Sequence, residues 1–307
     1  MKIFENISLQ KKNTTKIDCV AKYFVEVKNN EEVKKAVIYA KKNNIKFLIL
    51  GAGSNVILPE IYSGLVIYIS NKEYKIKEKR DRVILTAQAG AFLPDISKDI
   101  SYFSASGFEW AGGVPGTIGG ATRGNAGAFG DFMSDYLKRI EVLDVETLNN
   151  ISFLKEDCYF DYRESIFKKE KKYIITSVQM EFLKKKGVIE RYKEYLDYRK
   201  KNHPTEPSSG SVFKNPKVAD DFFEKHKDTR KFIHLGFVPV RYLIGECGLS
   251  GKIIGGAQIS TKHANFIINI SNATHSDIKE LIKLIIESIK EKYDITVEPE
   301  VEVIDKN

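Results

Sequence analysis

The 307-residue sequence is poor in the residues that build disulfide frameworks and metal sites. Its three cysteines, Cys19, Cys158 and Cys247, are widely separated and include no CxxC pair. The five histidines form no pair at the spacing of metal ligands. We therefore expect no zinc site, no other metal and no disulfide framework, and the low cysteine count fits a reducing compartment.

Long apolar runs are missing as well. No segment approaches the roughly 18 consecutive apolar residues that a membrane-spanning helix needs. The first five residues, MKIFE, meet a charge before an apolar run develops, which is unlike a secretory signal peptide. We expect a soluble, cytoplasmic protein that has no membrane association.

What remains is an ordinary globular composition. The sequence is 42% hydrophobic and 29% charged, which argues against whole-chain disorder. Its length suggests about two domains at roughly 150 residues each. The net charge of +8 comes from lysines that alternate with glutamates, as in residues 72–80. Such runs are typical of solvated faces, so we expect an anionic small ligand or a lysine-rich proteome rather than nucleic acid.

Apolar periodicity predicts an α+β fold with mixed sheets. Asn30 is the expected cap of the first helix, and Lys41 and Lys42 close it. Clean alternation over residues 295–304 predicts a final strand. Further strands are predicted at residues 20–27, 47–50, 65–69, 83–89, 140–145, 173–182 and 266–268 and near Ile253. Further helices are predicted over residues 96–103, 188–201 and 240–247 and from about 276 onward.

Residues 51–55, Gly-Ala-Gly-Ser-Asn, follow a predicted buried strand. Glycines at such a place let backbone N–H groups approach a phosphate closely. The segment is not a P-loop, because no Gly-Lys-Ser/Thr follows it. It also lacks the third glycine and the following helix of the dinucleotide-binding fingerprint. A tight turn after a strand is an equally good interpretation of this segment alone.

The most unusual segment is residues 107–130, which contains nine of the 21 glycines. Ordering so many glycines costs backbone entropy, at roughly 0.5–1 kcal/mol each relative to alanine. A flexible linker would be polar, whereas this segment includes Trp110, Val114, Ile118 and Phe129. We predict an ordered loop that surrounds a flat, phosphate-bearing ligand.

Three isolated residues have side chains suited to chemistry. Arg163 lies among apolar residues and is permanently charged, although a surface ion pair with Glu164 would also explain it. Ser211 follows a glycine and precedes Lys214, although a turn serine is the simpler interpretation. Glu300 lies on the polar face of the last predicted strand and could be a solvated carboxylate. No GxSxG motif is present, which argues against a hydrolase nucleophile.

Taken in chain order, seven segments resemble the UDP-N-acetylenolpyruvoylglucosamine reductase family, flavoenzymes that complete UDP-N-acetylmuramic acid for peptidoglycan. The resemblance covers nearly the whole chain and is to the shorter form of the family, without an inserted substrate-capping loop. Ala52 stands where the family usually has glycine, and Asp18-Cys19 where Gly-Gly is common. The seven segments are residues 13–17, 50–55, 112–130, 162–167, 209–216, 245–256 and 299–301.

The resemblance implies an FAD-binding module of two α/β subdomains, vanillyl-alcohol-oxidase-like in fold, and an α+β substrate-binding domain. The expected FAD subdomains are residues 1–70 and 71–200, and the expected substrate domain is residues 201–293. The last strand, within residues 294–307, would return to the second FAD subdomain. The residues expected to hold FAD are Leu50, Gly51, Ala52, Gly53, Ser54, Asn55, Gly113, Val114, Pro115, Gly116, Thr117, Gly119, Gly120, Asn125 and Gly127.

The resemblance also implies that NADPH reduces the flavin, which then passes hydride to the enolpyruvyl group of a UDP-linked amino sugar. Arg163 would neutralise the enolate, Ser211 would deliver the proton, and Glu300 would act as an acid or orient its partners. Such an enzyme serves peptidoglycan synthesis, and through it cell shape and division, and we expect no obligate protein partner. The candidates for binding the substrate are Lys214, Asn215, His263 and Asn265.

Two other functions are compatible with parts of the sequence. A flavin oxidase or dehydrogenase of the same fold could act on another substrate, although the cluster around Ser211 and Lys214 argues against it. A nucleic-acid-binding protein could use the net charge of +8 and the 33 Phe and Tyr residues as stacking platforms. It would have no use for two ordered glycine-rich loops.

Overall fold

The computed structural model describes residues 1–305, which divide into two compact units. Unit 1 consists of residues 1–7, 21–53 and 63–201, and unit 2 consists of residues 8–20, 54–62 and the chain from 202 onward. Within residues 1–305, none of the helices combines the length and the apolar character that crossing a membrane requires.

The structure alternates short strands and helices. The α-helices are α1 (Asn30–Lys42), α2 (Leu93–Tyr102), α3 (Ile118–Arg123), α4 (Met133–Tyr136), α5 (Ile166–Lys169), α6 (Val188–Asn202), α7 (Asp220–Lys225), α8 (Val240–Glu246) and α9 (His275–Tyr293). Residues 1–305 also include 3-10 helices at Gln10–Lys12, Glu109–Ala111, Lys155–Cys158 and Lys227–Leu235. The strands are β1 (Phe4–Ser8), β2 (Val20–Val27), β3 (Phe47–Leu50), β4 (Val56–Ile57), β5 (Ile61–Ile69), β6 (Tyr74–Glu78), β7 (Arg82–Gln88), β8 (Gly127–Ala128), β9 (Asp131–Phe132), β10 (Leu137–Asp144), β11 (Asn150–Leu154), β12 (Tyr173–Leu183), β13 (Ser208–Ser211), β14 (Ile253–Ile254), β15 (Ala257–Ile259), β16 (Phe266–Asn269) and β17 (Glu302–Val303).

Unit 1 is built on two larger sheets. The first has the strand order β1-β2-β5-β3, in which β3 and β5 are parallel. The second has the order β11-β10-β12-β7-β6 and is antiparallel throughout. Helix α1 turns the face formed by Val33, Ala36, Val37 and Ala40 into the core, as the sequence periodicity predicted. The mixture of strands and helices confirms the α+β class.

The cap of α1 is one residue earlier than predicted. The Asn29 side chain, not that of Asn30, accepts a hydrogen bond from the backbone N–H of Glu32. Both positions are asparagine, so composition alone could not choose between them. Asn29 has the extended backbone that a capping residue requires, whereas Asn30 is already helical.

Unit 2 packs one long helix against a four-stranded sheet of order β13-β16-β15-β14. Helix α9 starts with a capping box, in which the Thr274 side chain accepts from Asp277 N–H and the Asp277 side chain accepts from Thr274 N–H. The isoleucines of the predicted apolar face are all buried, and they are Ile278, Ile282, Ile285 and Ile289.

The prediction of a strand over residues 295–304 was largely wrong. Only Glu302–Val303 forms a strand, and it pairs with β4 in unit 2 rather than joining a sheet of unit 1. Val297 and Val301 are buried, so the alternation reflects burial of one side of the segment and not continuous strand pairing. The division of residues 1–200 into two FAD-binding subdomains stays a prediction.

The α9 core gives a stability prediction. Ile285→Ala should lower the free energy of unfolding by about 2–5 kcal/mol, because Ile285 is fully buried and the truncation leaves a cavity. Urea unfolding followed by circular dichroism measures this change. Lys283→Ala, on the exposed side of the same helix, should change it by less than about 0.5 kcal/mol. Equal effects of the two variants would contradict the packing of this helix face.

Candidate functional site

The two glycine-rich segments lie against each other in unit 1. A Cβ atom on Gly51 would fall 2.6 Å from the Thr117 hydroxyl oxygen, so a larger residue at this position would require Thr117 to shift. Gly53 has a φ of 62°, in the left-handed region that glycine adopts without strain. Leu50, which precedes the loop, buries its side chain in the protein and leaves only its backbone for a ligand.

The second glycine-rich segment is ordered by main-chain hydrogen bonds. Leu93 N–H donates to Gly116 C=O, and Ile118 and Gly119 N–H donate to the carbonyls of Ala91 and Ala89. The segment also contains α3, a helix that the sequence analysis did not predict, with Thr117 as its cap. Gly113, Pro115 and Gly120 lie on its exposed surface.

Arg163 is bound to the end of the same segment. Its guanidinium donates from Nη2 to Gly127 C=O (2.8 Å) and from Nη1 to Asn125 C=O (3.5 Å). Asn125 is nearly fully buried, and its side chain joins Asp161 C=O to Ser134 N–H. The structure therefore brings Arg163 into contact with Asn125 and Gly127, which belong to a different motif of the sequence analysis.

Glu164 has an ion pair that the sequence analysis did not consider. Its carboxylate lies 3.2 Å from the ammonium of Lys168, one helical turn further along the chain. The same ammonium donates to Arg163 C=O at 2.8 Å. Arg163 itself has a φ of 58°, so its backbone is held in the left-handed region that a non-glycine residue rarely adopts. Its position is thus specified by side-chain and main-chain contacts together.

Arg199 of α6 is a residue that the sequence analysis missed. Its guanidinium donates to Trp110 C=O (2.7 Å) and Gly112 C=O (3.0 Å) and lies 5.3 Å from the centre of the Phe129 ring. Burial lowers the pKa of Arg199 to about 10, so it remains charged at neutral pH. The sequence feature that could have indicated Arg199 is its spacing from Tyr192 and Leu196, which places all three residues on one face of α6.

In unit 2, a main-chain hydrogen bond joins the segments that contain Ser211 and Glu300. Ser211 ends β13 opposite Phe266, and the next residue, Val212, accepts a 2.7 Å hydrogen bond from Glu300 N–H. Asn55, which follows the first glycine loop, donates from its side chain to Glu300 C=O at 3.3 Å. Three residues predicted from three motifs are therefore neighbours within this unit.

Two of the predicted substrate contacts have structural roles. The Asn215 side-chain oxygen accepts from Val240 N–H at the start of α8, and the Asn265 side chain bonds to the backbone of Phe213. The Lys214 ammonium lies 3.4 Å from the Glu298 carboxylate. These contacts leave fewer polar atoms for a ligand than the motif alone suggests.

His263 lies in an aromatic group, with ring centroids 5.5 Å from His203 and 4.8 Å from Phe266. Burial, and secondarily the charge of Arg241, lowers the pKa of His263 to about 4. The imidazole is therefore neutral at pH 7, and it could hydrogen-bond a ligand without adding positive charge.

Two separate parts of the chain match known protein families. Residues 21–147 match the family model of the FAD binding domain. Residues 202–304 match the model of the UDP-N-acetylenolpyruvoylglucosamine reductase C-terminal domain. Together these matches define a flavoprotein whose FAD-binding part is followed by a second, family-specific domain.

Relatives of known name match over nearly the whole chain. The UDP-N-acetylenolpyruvoylglucosamine reductase of Prochlorococcus marinus subsp. pastoris is 35% identical, covering 98% of this chain and 96% of that protein. The reductase of the same name from Francisella tularensis subsp. tularensis is 35% identical, covering 98% and 99%. The crystal structure of the Thermus caldophilus reductase has a TM-score of 0.77 and 27% identity, covering 99% and 98%. The chain belongs to the UDP-N-acetylenolpyruvoylglucosamine reductase family, which confirms the resemblance found in the sequence.

The contact between the two glycine loops generates a binding prediction. Gly51→Ala should weaken FAD binding by about tenfold or more, because its methyl group must displace Thr117. Gly51→Ala combined with Thr117→Ala should recover part of the affinity, since the clashing hydroxyl is gone. FAD titration of flavin-stripped protein, followed by fluorescence, measures both effects. Ala52→Gly is the matched control and should change the affinity less than about threefold; tight FAD binding by Gly51→Ala would contradict the assignment of this loop.

The lowered pKa of His263 predicts a pH dependence of stability. Between pH 6.5 and about 4 the unfolded chain binds a proton on this residue that the folded chain does not, so stability falls as the pH falls. The free energy of unfolding falls between pH 7 and pH 4, and with His263→Gln this decrease should be smaller by up to about 3 kcal/mol. Urea unfolding at several pH values tests this, with the exposed His234→Gln as control. An unchanged slope in His263→Gln would show that His263 is not responsible.

Proposed function

We propose that this protein reduces UDP-N-acetylenolpyruvoylglucosamine to UDP-N-acetylmuramate, with FAD as the redox cofactor and NADPH as the reductant. Membership of the reductase family supports this activity. The structural observation that supports it most is the 2.7 Å hydrogen bond between Glu300 N–H and Val212 C=O. It places the two residues proposed for proton transfer, Ser211 and Glu300, on directly bonded segments.

The residues of unit 1 fit FAD. At the point where the two glycine-rich segments meet, even a methyl group on Gly51 would collide with Thr117. Main chain that carries no side chains, as at these glycines, suits a diphosphate, because the diphosphate needs N–H donors at close range. We assign FAD to residues 50–53, 113–117, 119, 120, 125 and 127 of unit 1, and to residues 54 and 55, which follow the first of these segments. When bound there, FAD supplies the carrier that accepts hydride from NADPH and donates it to the substrate carbon.

Arg163 stabilises the negative charge that develops on the substrate carboxylate as hydride arrives. A guanidinium is protonated at every physiological pH, so it acts as a fixed positive charge. Its bonds to the carbonyls of Gly127 and Asn125 orient the group before the substrate binds. A preoriented charge lowers the barrier because no reorganisation is needed during the reaction.

Ser211 donates the proton that completes the reduction of the double bond. A serine hydroxyl is a weak acid in water, but the carbanion next to a carboxylate is a strong base, and transfer to it is downhill. Glu300 lies in the segment bonded to Val212 and acts as an acid near the enolate or orients its partners. Lys214, His263 and the remaining atoms of Asn215 are proposed to contact the UDP-sugar.

Two related expectations stay predictions, a cytoplasmic location and action without an obligate protein partner. A flavoenzyme that acts on another substrate is the nearest competing function. The experiment below separates the two because it follows the flavin and the sugar in the same cuvette.

The test is a spectrum of the purified protein before and after anaerobic NADPH. Flavin bands near ~370 and ~450 nm should bleach, and they should return when UDP-N-acetylenolpyruvoylglucosamine is added. Bleaching that the sugar does not reverse would point to a flavoenzyme with another substrate. Absence of flavin after reconstitution with FAD would refute the cofactor assignment.

Ser211→Ala tests the proposed proton donor. Reduction of the flavin by NADPH should stay within about twofold of the unsubstituted protein, whereas reoxidation by the sugar should fall at least about a hundredfold, because general-acid catalysis contributes roughly 10²–10⁴. Stopped-flow absorbance measures both half-reactions. Ser209→Ala, two residues earlier in β13, is the matched control. Equal losses in both half-reactions would mean that Ser211 is structural.

A further inference from the structure

A buried side-chain amide joins β16 to the chain that follows Ser211. Asn265 is 5% exposed, and both ends of its amide bond to the same residue. Its Nδ2 donates to Phe213 C=O (2.9 Å), and its Oδ1 accepts from Phe213 N–H (3.0 Å). An asparagine side chain has the donor and acceptor of a peptide group, so here it takes the place of a neighbouring strand.

This replacement is needed because regular strand pairing stops at Ser211. The last paired residues of β13 and β16 are Ser211 and Phe266, and the register shifts before them. The next bond runs from Val212 N–H to Asn265 C=O at 2.8 Å. The Asn265 side chain then supplies the hydrogen bonds for one more residue, Phe213. Phe213 is 1% exposed, so its N–H and C=O groups need partners within the protein.

The opposite edge of the same segment is bound to the C-terminal part of the chain. Glu300 N–H donates to Val212 C=O (2.7 Å), and Lys214 N–H donates to Glu298 C=O (3.0 Å). Residues 212–214 are thus held on one side by Asn265 and on the other by residues 298–300. The position of Ser211 relative to Glu300 depends on both sides.

We propose that Asn265 is a positioning residue that sets the proton-donating geometry of Ser211 and Glu300 by fixing the backbone of Val212 and Phe213. This inference rests on the proposed role of Ser211. It replaces the expectation that Asn265 binds substrate, because both ends of its amide already bond within the protein. A displacement of about 1 Å at a catalytic group can cost on the order of a hundredfold in rate, so the bonds of Asn265 matter to the reaction and not only to stability.

The test uses two substitutions of similar size. Asn265→Asp keeps an acceptor for Phe213 N–H but puts an oxygen against Phe213 C=O, and Asn265→Leu removes both bonds. Each should slow flavin reoxidation by the sugar by about a hundredfold, with flavin reduction by NADPH within about twofold and the KM for the sugar within about threefold. Asn269→Leu is the matched control, since the Asn269 amide makes two comparable bonds, to Thr15 C=O and Ala273 N–H. It should leave both half-reactions within about threefold.

A double-substitution cycle separates positioning from direct contact. In a Ser211→Ala background, Asn265→Asp should slow reoxidation by no more than about twofold further, because the geometry that Asn265 sets has no effect on proton transfer once the donor Ser211 is absent. A full additional hundredfold loss, or a large rise in KM, would mean that Asn265 touches the substrate and would overturn the proposal. Equal losses in both half-reactions would also overturn it, by making Asn265 purely structural. Full reoxidation by Ser211→Ala alone would instead refute the proposed function of Ser211, and the inference with it.

Discussion

Peptide groups buried beyond the end of a strand must still find hydrogen-bond partners, and in this protein side chains supply them. Asn265 does so for Phe213, just beyond β13, and Arg199 does the same at a 3-10 helix, for Trp110 and Gly112. Residues 51–55 follow β3 and residues 212–214 follow β13, so both of these segments lie where regular pairing has ended. The site therefore depends on a framework of side chains that contact the main chain.

Because of this framework, one motif contains residues that are proposed to contact the ligand and residues that bond to the main chain. Ser211 is proposed to meet the substrate, whereas Asn215, four residues later, places its side-chain oxygen on the first N–H of α8. In unit 1, Asn125 joins Asp161 to Ser134 and so fixes the turn that presents Arg163. Amide side chains suit this work because they donate and accept at once. One motif thus contains both kinds of residue, each for a different physical reason.

The sequence predicted well the elements whose pattern is local. The strand at residues 20–27, the apolar face of α9 and the family were all correct, because burial periodicity and motif order are visible in the chain. The helix α3 was missed because three glycines and a proline near its start weaken the local signal, while its main-chain bonds to Ala89 and Ala91 are non-local. The role of Arg199 was missed for the same reason, since its partners lie 87 and 89 residues away.

The guanidinium of Arg199 also shows how charge is placed in unit 1. Carbonyl oxygens orient it without neutralising it, and burial lowers its pKa because water is excluded around it. Exclusion of water also lowers the local screening, so the charge acts over a longer distance than it would on the surface. Such a cation beside the glycine-rich segment raises the electrostatic potential that an anionic ligand would meet there. A diphosphate within reach of this charge would be attracted before any rearrangement of the protein, and its binding would partly offset the cost of burying the cation.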